Sequence, residues 1–587
     1  MTNLEIAKLL RKVAAAQTLK GEMFFKITAY EKAADVVEHA TSEVKDLWEA
    51  GKLDTIPGLG KHMQAYLDEL FKKGKVSHFE KLMKSLPSGM FEILDVPGIG
   101  PKTAYKIAKT LGIKTISDLK EAATSGKLAK IQGLGTKTAQ EILVGIEEFG
   151  KREGRMLLPY AWNLANDIVN QLKKSKDIID AAPLGSLRRM VATVGDIDIA
   201  ASVKDTRPAI DFFIKLPQIE RIQGKGEHKA TAILKNGRQV DFMVTTPDRF
   251  GALLQHFTGS KMHNIHLRKI ANDKGLSLSE YGISKIHHKG DQFSSDLLAK
   301  CATEVEFYKI LGMDYISPEL REDTGEIEAA IKHKLPKLVE LGDIKGDLHV
   351  HSDFAIETSH DLGANSLAEL TKRGGELDYQ YIAITDHNPS VSGHTLADME
   401  RLIAKRLRLI EQINYSRGIK LLNSLEVDIM VDGNLAVPDE ILSKLDLVVA
   451  SVHSSFAQSI ETMTKRVLAA LENPNVNILG HPTGRLIGSR EGYEVFWEKV
   501  FEACKKYEKA LEINSWPERL DLPDVIVREA VKSGVKLVIS TDSHAVEHMD
   551  NMRFGVVVAR RGWAEKGNIL NTLSWVDFAK YFKIKSD

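Results

Sequence analysis

Three aspartates and a series of histidines carry the chemistry this sequence could perform. Asp196 and Asp198 alternate in GDIDIA, and Asp241 sits in RQVDFMV. Residues two apart on a strand share a face. Asp196 and Asp198 therefore point the same way, and Asp241 joins them from a neighbouring strand. Three carboxylates so placed can hold two Mg²⁺ (or Mn²⁺) ions, which activate a hydroxyl and stabilise departing pyrophosphate. Upstream, Gly185-Ser186 opens a helix whose N–H groups suit a triphosphate, with Arg188 and Arg189 nearby.

A second constellation lies further on. Four apolar runs end in metal-ligand residues: DLHVHS (Asp347 to Ser352), YIAITDHN (Tyr381 to Asn388), DLVVASVHS (Asp446 to Ser454) and KLVISTDSH (Lys536 to His544). One histidine after a strand is usually a satisfied core residue. Repeated endings mean that strands deliver ligands to one place, which in a (β/α) barrel is the C-terminal mouth. The candidate ligands are His349, His351, Asp361, His387, Glu426, His453, His481, Asp542 and His544, with Glu357 the rival to Asp361. Imidazoles with carboxylates suit two or three Mn²⁺, Zn²⁺ or Fe²⁺ ions. Position carries this argument, since only 9 of the 19 histidines lie beyond residue 340. His394 in SGHTL reads as a surface or supporting residue, and Arg485 in GHPTGRLIG is a candidate to steady a phosphate.

The elements that must position these groups follow from the chain pattern. At 587 residues, 43% apolar and 27% charged, the chain predicts three or four globular domains. The longest apolar runs are strand-sized, so no membrane span is expected. MTNLEIAKLLRKV reads as an amphipathic helix rather than a secretory leader. Two distant cysteines, Cys301 and Cys504, fit a reducing cytoplasm and exclude a disulfide scaffold. Net charge is +7 over residues 1–340 and −7 over the remainder. A nucleic-acid partner for the front must therefore be held by local geometry.

That geometry is visible in a repeat. IPGLGKHMQAYLDEL, VPGIGPKTAYKIAKTL and IQGLGTKTAQEIL start at Ile56, Val96 and Ile131. Each is an apolar residue, a Gly-x-Gly turn and an amphipathic helix, and each resembles the helix-hairpin-helix element. Gly58, Gly60, Gly98, Gly100, Gly133 and Gly135 permit tight positive-φ turns that present N–H groups to a DNA phosphate without reading a base. Farther along, TAILKNGRQVDFMVT predicts a strand–turn–strand with Asn236-Gly237 as the turn. SPELREDTGEIEAA (Ser317 to Ala330) reads as a linker arm, and from about residue 341 strands and helices alternate.

G-S-x-R-R, D-x-D and V-D-F-x-V, followed by GALLQHFTGSKMHNIHLRKIA (Gly251 to Ala271), resemble family X DNA polymerases over roughly residues 1–320. The resemblance implies that Ser186 and Arg189 contact the β/γ-phosphates and that Asp196, Asp198 and Asp241 bind metal. It implies that Phe257-Thr258-Gly259 abuts the incoming sugar and that Asn264 reaches the base edge. Two departures stand out. The steric-gate position falls near His256, and the Schiff-base lysine of some relatives is replaced by Tyr66, with Lys61 the alternative amine. The ordered set H-x-H, S-H-D, T-D-H, E, S-V-H, G-H-P and D-x-H resembles the PHP (polymerase and histidinol phosphatase) domain over about 341–575.

The fold expected is multidomain: a helical DNA-binding front, an α+β nucleotidyltransferase palm and a distorted (β/α)₇ PHP barrel. The expected boundaries are 1–80, 81–155 (helix-hairpin-helix), 156–250 (palm), 251–316 (nucleotide pocket), 317–340 (linker) and 341–587. The resemblance implies gap-filling DNA synthesis in base excision repair and metal-dependent 3′→5′ exonuclease or abasic-site processing. Gapped or nicked duplex DNA and dNTPs would be the partners of a cytoplasmic, nucleoid-associated monomer. The competing readings are a nuclease whose polymerase-like half only binds DNA, a DNA-end scaffold, and a small-molecule phosphatase.

Overall fold

A computed structural model describes residues 3–38, 44–49, 53, 59–94, 96, 99–125, 127–128, 131, 134–135, 142–143, 155–286, 297–416 and 418–584. The chain divides into two compact units, Met1–Gly154 and Arg155–Asp587.

The first unit is helical. Its helices include Asn3–Leu19, Phe24–Glu38, Lys61–Lys73, Pro101–Leu111 and Ile116–Thr124. One core gathers Ile6, Leu10, Ala33, Leu67 and Phe79; another gathers Met90, Ile93, Ile107 and Leu119. Gly60 and Gly100 stand just ahead of the helices that begin at Lys61 and Pro101. The positive φ expected at these glycines is not found: Gly60 has φ −68 and Gly100 φ −84. The residue before a helix is normally extended, and no left-handed turn is needed there. A side chain at Gly60, Gly100 or Gly135 would meet no atom within 4 Å, so nothing inside the described residues demands glycine. Gly58, Gly98 and Gly133 lie outside the described residues.

In the second unit a five-stranded sheet is built from β1 (Ile178–Pro183), β2 (Ile197–Val203), β3 (Ile219–Lys225), β4 (Lys229–Leu234) and β5 (Gln239–Thr245), in the order β1-β2-β5-β4-β3. β2 and β5 run parallel with Asp198 opposite Asp241, and the other pairs are antiparallel. β4 and β5 form the expected hairpin, with Gly237 at φ 79 in its turn. Next come the helices Phe250–Thr258, Lys261–Asp273 and Glu304–Ile310 and a three-stranded sheet.

Residues 317–340, expected as a linker, are folded instead. Leu320, Ile327 and Ala330 are buried with Phe307, Tyr308 and Trp563 in one core, and Arg321 and Glu326 are fully buried. Their polar sequence misleads because Arg321 donates to Glu304 and Glu326 pairs with His263. Buried charges persist when paired.

The remainder forms seven parallel strands in sequential order: β6 (Gly346–Val350), β7 (Tyr381–Ile384), β8 (Lys420–Asp428), β9 (Leu447–Ser451), β10 (Ile478–Leu479), β11 (Ala510–Asn514) and β12 (Leu537–Ser540). Nearly every strand residue is buried, as strands covered on both faces require. A bridge between Val350 and Ser543 closes the ring.

Candidate active sites

The first site sits at the parallel junction of β2 and β5. Ile197 is where β2 begins, so Asp196 lies just ahead of the strand and Asp198 within it, opposite Asp241. Burial, then the neighbouring Asp241 and Asp196 carboxylates, push the Asp198 carboxyl up to about 7. Asp196, although surface-exposed, is pushed in the same direction by desolvation and Asp241. Asp241 is oriented by Thr231 Oγ1, which donates at 2.6 Å, and by Lys229 Nζ at 2.9 Å. Carboxylates that resist ionising together are what a pair of divalent cations would relieve. Gly185 turns beside them at φ +59, and a Cβ there would lie 3.2 Å from Asp198 Oδ2. Ser186 is half-buried in the four-residue helix that follows.

Both arginines are engaged by protein groups. Arg188 grips Glu304 with both terminal nitrogens, at 2.9 and 2.6 Å, and donates to Thr258 Oγ1 at 2.5 Å. Arg189, expected on the phosphates, donates from Nε to Glu322 at 3.0 Å and from Nη1 to the Thr258 carbonyl at 2.6 Å. Asn264, expected at the base edge, donates to the His256 carbonyl and accepts from Gln255. His256 stands edge-on to Phe257, and Gly259 (φ +66) lies beside the Arg189 guanidinium. Tyr66 is stacked on Tyr30 and His78.

Glu304 anchors this region. Burial would raise its carboxyl, but Arg321 and Arg188 hold it down at about 2. Its folded value lies below the ordinary one. Its contribution to stability is therefore complete above about pH 4.5 and is lost as pH falls toward 2. Glu304→Gln is expected to cost about 3 kcal/mol, because two guanidiniums are left without their carboxylate. Urea unfolding at pH 7 measures this, and a loss below about 0.5 kcal/mol would refute it.

The second site is the barrel mouth, where all nine expected ligands converge. Glu426, at the end of β8, is the hub. His481 Nε2 lies 2.8 Å away, His387 Nδ1 2.9 Å, His453 Nε2 3.2 Å, His349 Nε2 3.4 Å and His351 Nε2 3.8 Å. Asp542 is 3.2 Å from His351. Asp361 lies between His544 at 3.2 Å and His387 at 3.6 Å. Glu357 instead pairs with His394 at 2.8 Å; neither Glu357 nor Asp361 belongs to a cation-sized cluster among the described residues. Gly363 places the Asp361 loop against β6: a Cβ there would fall 2.2 Å from the His351 carbonyl oxygen. His481 and Asp542 have φ 26 and φ 54, positive values uncommon outside glycine.

Buried His349 Nε2, His351 Nδ1, His387 Nδ1, His481 Nδ1 and His544 Nε2 have no hydrogen-bond partner; the His387–Glu426 approach is close but misaligned. Unpartnered imidazoles around a shared carboxylate fit divalent cations. Burial would lower the imidazoles. It does lower His351, to about 3, and His481, whereas at His387 and His453 the Glu426 carboxylate outweighs it, pushing them up to about 10 and about 9.

Sequence reasoning missed several supporting groups. His360 Nε2 is 3.1 Å from Asp428, which also accepts from His453 Nδ1 at 2.6 Å. His360 forms a cation-sized cluster with His387 and His453. Asp428 was legible as the residue two after Glu426 on one strand. Glu512 accepts from His349 Nδ1 at 2.8 Å and from the His481 N–H at 2.6 Å, which fixes which His349 nitrogen faces the site. An acid inside the apolar run ALEIN was its signal. Arg485, the candidate to steady a phosphate, is engaged by the backbone. It donates to the carbonyls of Arg519 and Leu520, and Arg519 is the cation beside Asp542.

Comparison with known proteins agrees with this geometry. Residues 1–76 match the helix-hairpin-helix domain, 91–148 the SAM-like helix-hairpin-helix tandem, 253–322 the DNA polymerase beta thumb and 347–516 the PHP domain. The chain is 36% identical over 582 residues, 99% of both chains, to a protein of Bacillus subtilis (strain 168) named DNA polymerase/3'-5' exonuclease PolX. It is 25% identical over 342 residues to DNA polymerase lambda of Rattus norvegicus, covering 54% of this chain and 56% of that one. The barrel half is 30% identical over 236 residues to a Thermoanaerobacter sp. (strain X514) protein named "Probable phosphatase", covering 38% of this chain and 89% of that one. The chain belongs to the family X DNA polymerases that carry a C-terminal PHP domain.

Proposed function

We propose that this chain is a DNA-directed DNA polymerase that also carries a metal-dependent 3′→5′ exonuclease, the two activities residing in separate sites. The observation that carries the reading is that both candidate ligand sets are gathered in one chain: Asp196, Asp198 and Asp241 at one junction, and nine residues, Glu426 among them, at the barrel mouth. Two Mg²⁺ or Mn²⁺ ions held by the three aspartates would neutralise the triphosphate and activate the primer hydroxyl. Asp241, oriented by Thr231 and Lys229, takes the 3′-hydroxyl proton on its carboxylate. The turn at Gly185-Ser186 offers backbone N–H groups to the triphosphate, and Arg189 swings from Glu322 to its oxygens. Phe257, Thr258 and Gly259 line the sugar, and Asn264 exchanges its contact with His256 for the base edge.

In the barrel, two or three Mn²⁺, Zn²⁺ or Fe²⁺ ions would supply activated water and charge neutralisation for phosphodiester cleavage. Glu426 and the imidazoles around it would hold them, with Asp361 a further ligand. Asp361→Ala is therefore expected to lower bound metal by about one ion per chain, whereas Glu357→Ala leaves metal content unchanged. Elemental analysis after dialysis separates the two, and the opposite pattern would move the ligand assignment to Glu357.

The open space at Gly60, Gly100 and Gly135 gives a DNA backbone room to approach two helix N-termini. Gapped or nicked duplex is the substrate favoured, with gap filling in base excision repair and 3′-end or abasic-site processing the role, in a cytoplasmic, nucleoid-associated monomer. Among the described residues no helix is long and apolar enough to cross a membrane. Tyr66, packed among rings, provides no amine for lyase chemistry.

The test uses a 5′-labelled primer in a one-nucleotide-gapped duplex with Mn²⁺, with and without dNTPs. Extension with dNTPs and shortening without them support both sites. Shortening without extension would leave the front half a DNA-binding platform. Extension without shortening would direct the barrel to another phosphoester.

A further inference from the structure

Arg189 is held by the barrel as well as by its own neighbourhood. Its Nε and the Nη1 of Arg561 both donate to one oxygen, Glu322 Oε1, at 3.0 Å each. Arg561 Nη1 also donates to the carbonyl of Arg189 at 2.7 Å, a contact across 372 positions. That carbonyl falls outside the short helix Gly185–Arg188 because Met190 turns left-handed at φ 56. The far side of the Arg561 guanidinium is fixed by Asp524 Oδ2, which accepts from Nε and lies 2.7 Å from Nη2. Arg561 ends the helix Met552–Arg561 and Asp524 begins the helix Asp524–Ser533. This cation is built into the barrel, and its side chain is only 7% exposed.

We propose that Glu322 is a placeholder occupying Arg189 where a nucleotide phosphate binds, and that Arg561 is the barrel's positioning residue that makes Glu322 easy to displace. This rests on the reading of Arg189 as a triphosphate ligand. Guanidinium–phosphate and guanidinium–carboxylate bonds use the same donors, so a phosphate that takes Arg189 through Nε displaces the carboxylate. A carboxylate in a half-buried place is costly to leave unpaired. Arg561 remains bonded to Glu322 when Arg189 leaves, which lowers that cost. The barrel thus tunes nucleotide affinity at the polymerase site without touching the nucleotide.

The experiment measures dNTP Kd and maximal single-turnover rate on the gapped duplex with full-length protein. Arg561→Gln leaves Glu322 to Arg189, and Kd is expected to rise about tenfold, the scale of one charge-assisted bond, with little change in maximal rate. Glu322→Gln weakens the placeholder, and Kd falls about threefold or more. The double variant follows Glu322→Gln, because Arg561 acts through that carboxylate. Primer shortening by the same preparations reports that the barrel remains folded. A Kd within twofold of wild type for both single variants overturns the proposal. So does a double variant that keeps the Arg561→Gln defect, which marks Arg561 as merely structural. If Arg561→Gln does not fold, Glu322→Gln alone decides, and an unchanged Kd is fatal. Arg189→Ala isolates the underlying reading: if it leaves Kd unchanged, Arg189 is no triphosphate ligand and that assignment fails first.

Discussion

Replacing Glu426 by Gln is expected to slow primer shortening by at least about 10³-fold while primer extension stays near wild type. Five imidazoles lie within 3.8 Å of this one carboxylate. Burial would raise its carboxyl, but His453, His349 and His387 hold it well below the carboxylate range, so it is ionised and available to cations. An amide of the same shape carries no charge and presents one acceptor instead of two. Bound metal should fall in parallel, measured by elemental analysis on the protein used for the assay. A variant that keeps both its metal and its shortening rate would remove the barrel mouth from the exonuclease reading.

Asp198→Asn should have the complementary effect: extension lost by about 10³-fold or more, shortening retained. It also has a stability signature. Because the Asp198 carboxyl is raised to about 7 by burial and by Asp241 and Asp196, its ionised form burdens the folded state. That burden is full above pH 7 and shrinks as pH falls from 7 toward the ordinary value of 3.8, below which the group is protonated whether folded or unfolded. In chelator, the Asn variant should melt higher than wild type at pH 8, with the difference closing by about pH 4. An inactive variant that is more stable marks a site strained for function. A variant that melts lower at pH 8 would show that Asp198 supports the fold.

The distribution of legible and hidden features has a physical cause. The ligand types and their order could be read from the chain because each is a local matter. Strand residues two apart share a face, and parallel barrel strands deliver their last residues to one end. Asp196, Asp198, Asp241 and the strand-end candidates of the barrel were found in this way, whereas Asp361, on a loop, was named only through the family resemblance. The hairpin at Asn236-Gly237 was found from its turn chemistry. The folded state of residues 317–340 was hidden because its polar residues looked solvated, whereas Arg321 and Glu326 find partners at Glu304 and His263.

What the sequence by itself determined is therefore the inventory and its chemistry: two sets of metal-binding side chains, each on strands able to gather them. Only the tertiary structure decided which groups share a partner. Glu426 becomes the hub because ring closure turns the ends of four other strands, carrying five imidazoles, inward on it. The loop packs Gly363 onto β6 and sets Asp361 beside His387 and His544, whereas Glu357 pairs with His394. Arg189 meets Glu322 and Arg561 across 133 and 372 positions. Pairings at that separation depend on how whole layers pack, and local periodicity is silent about them.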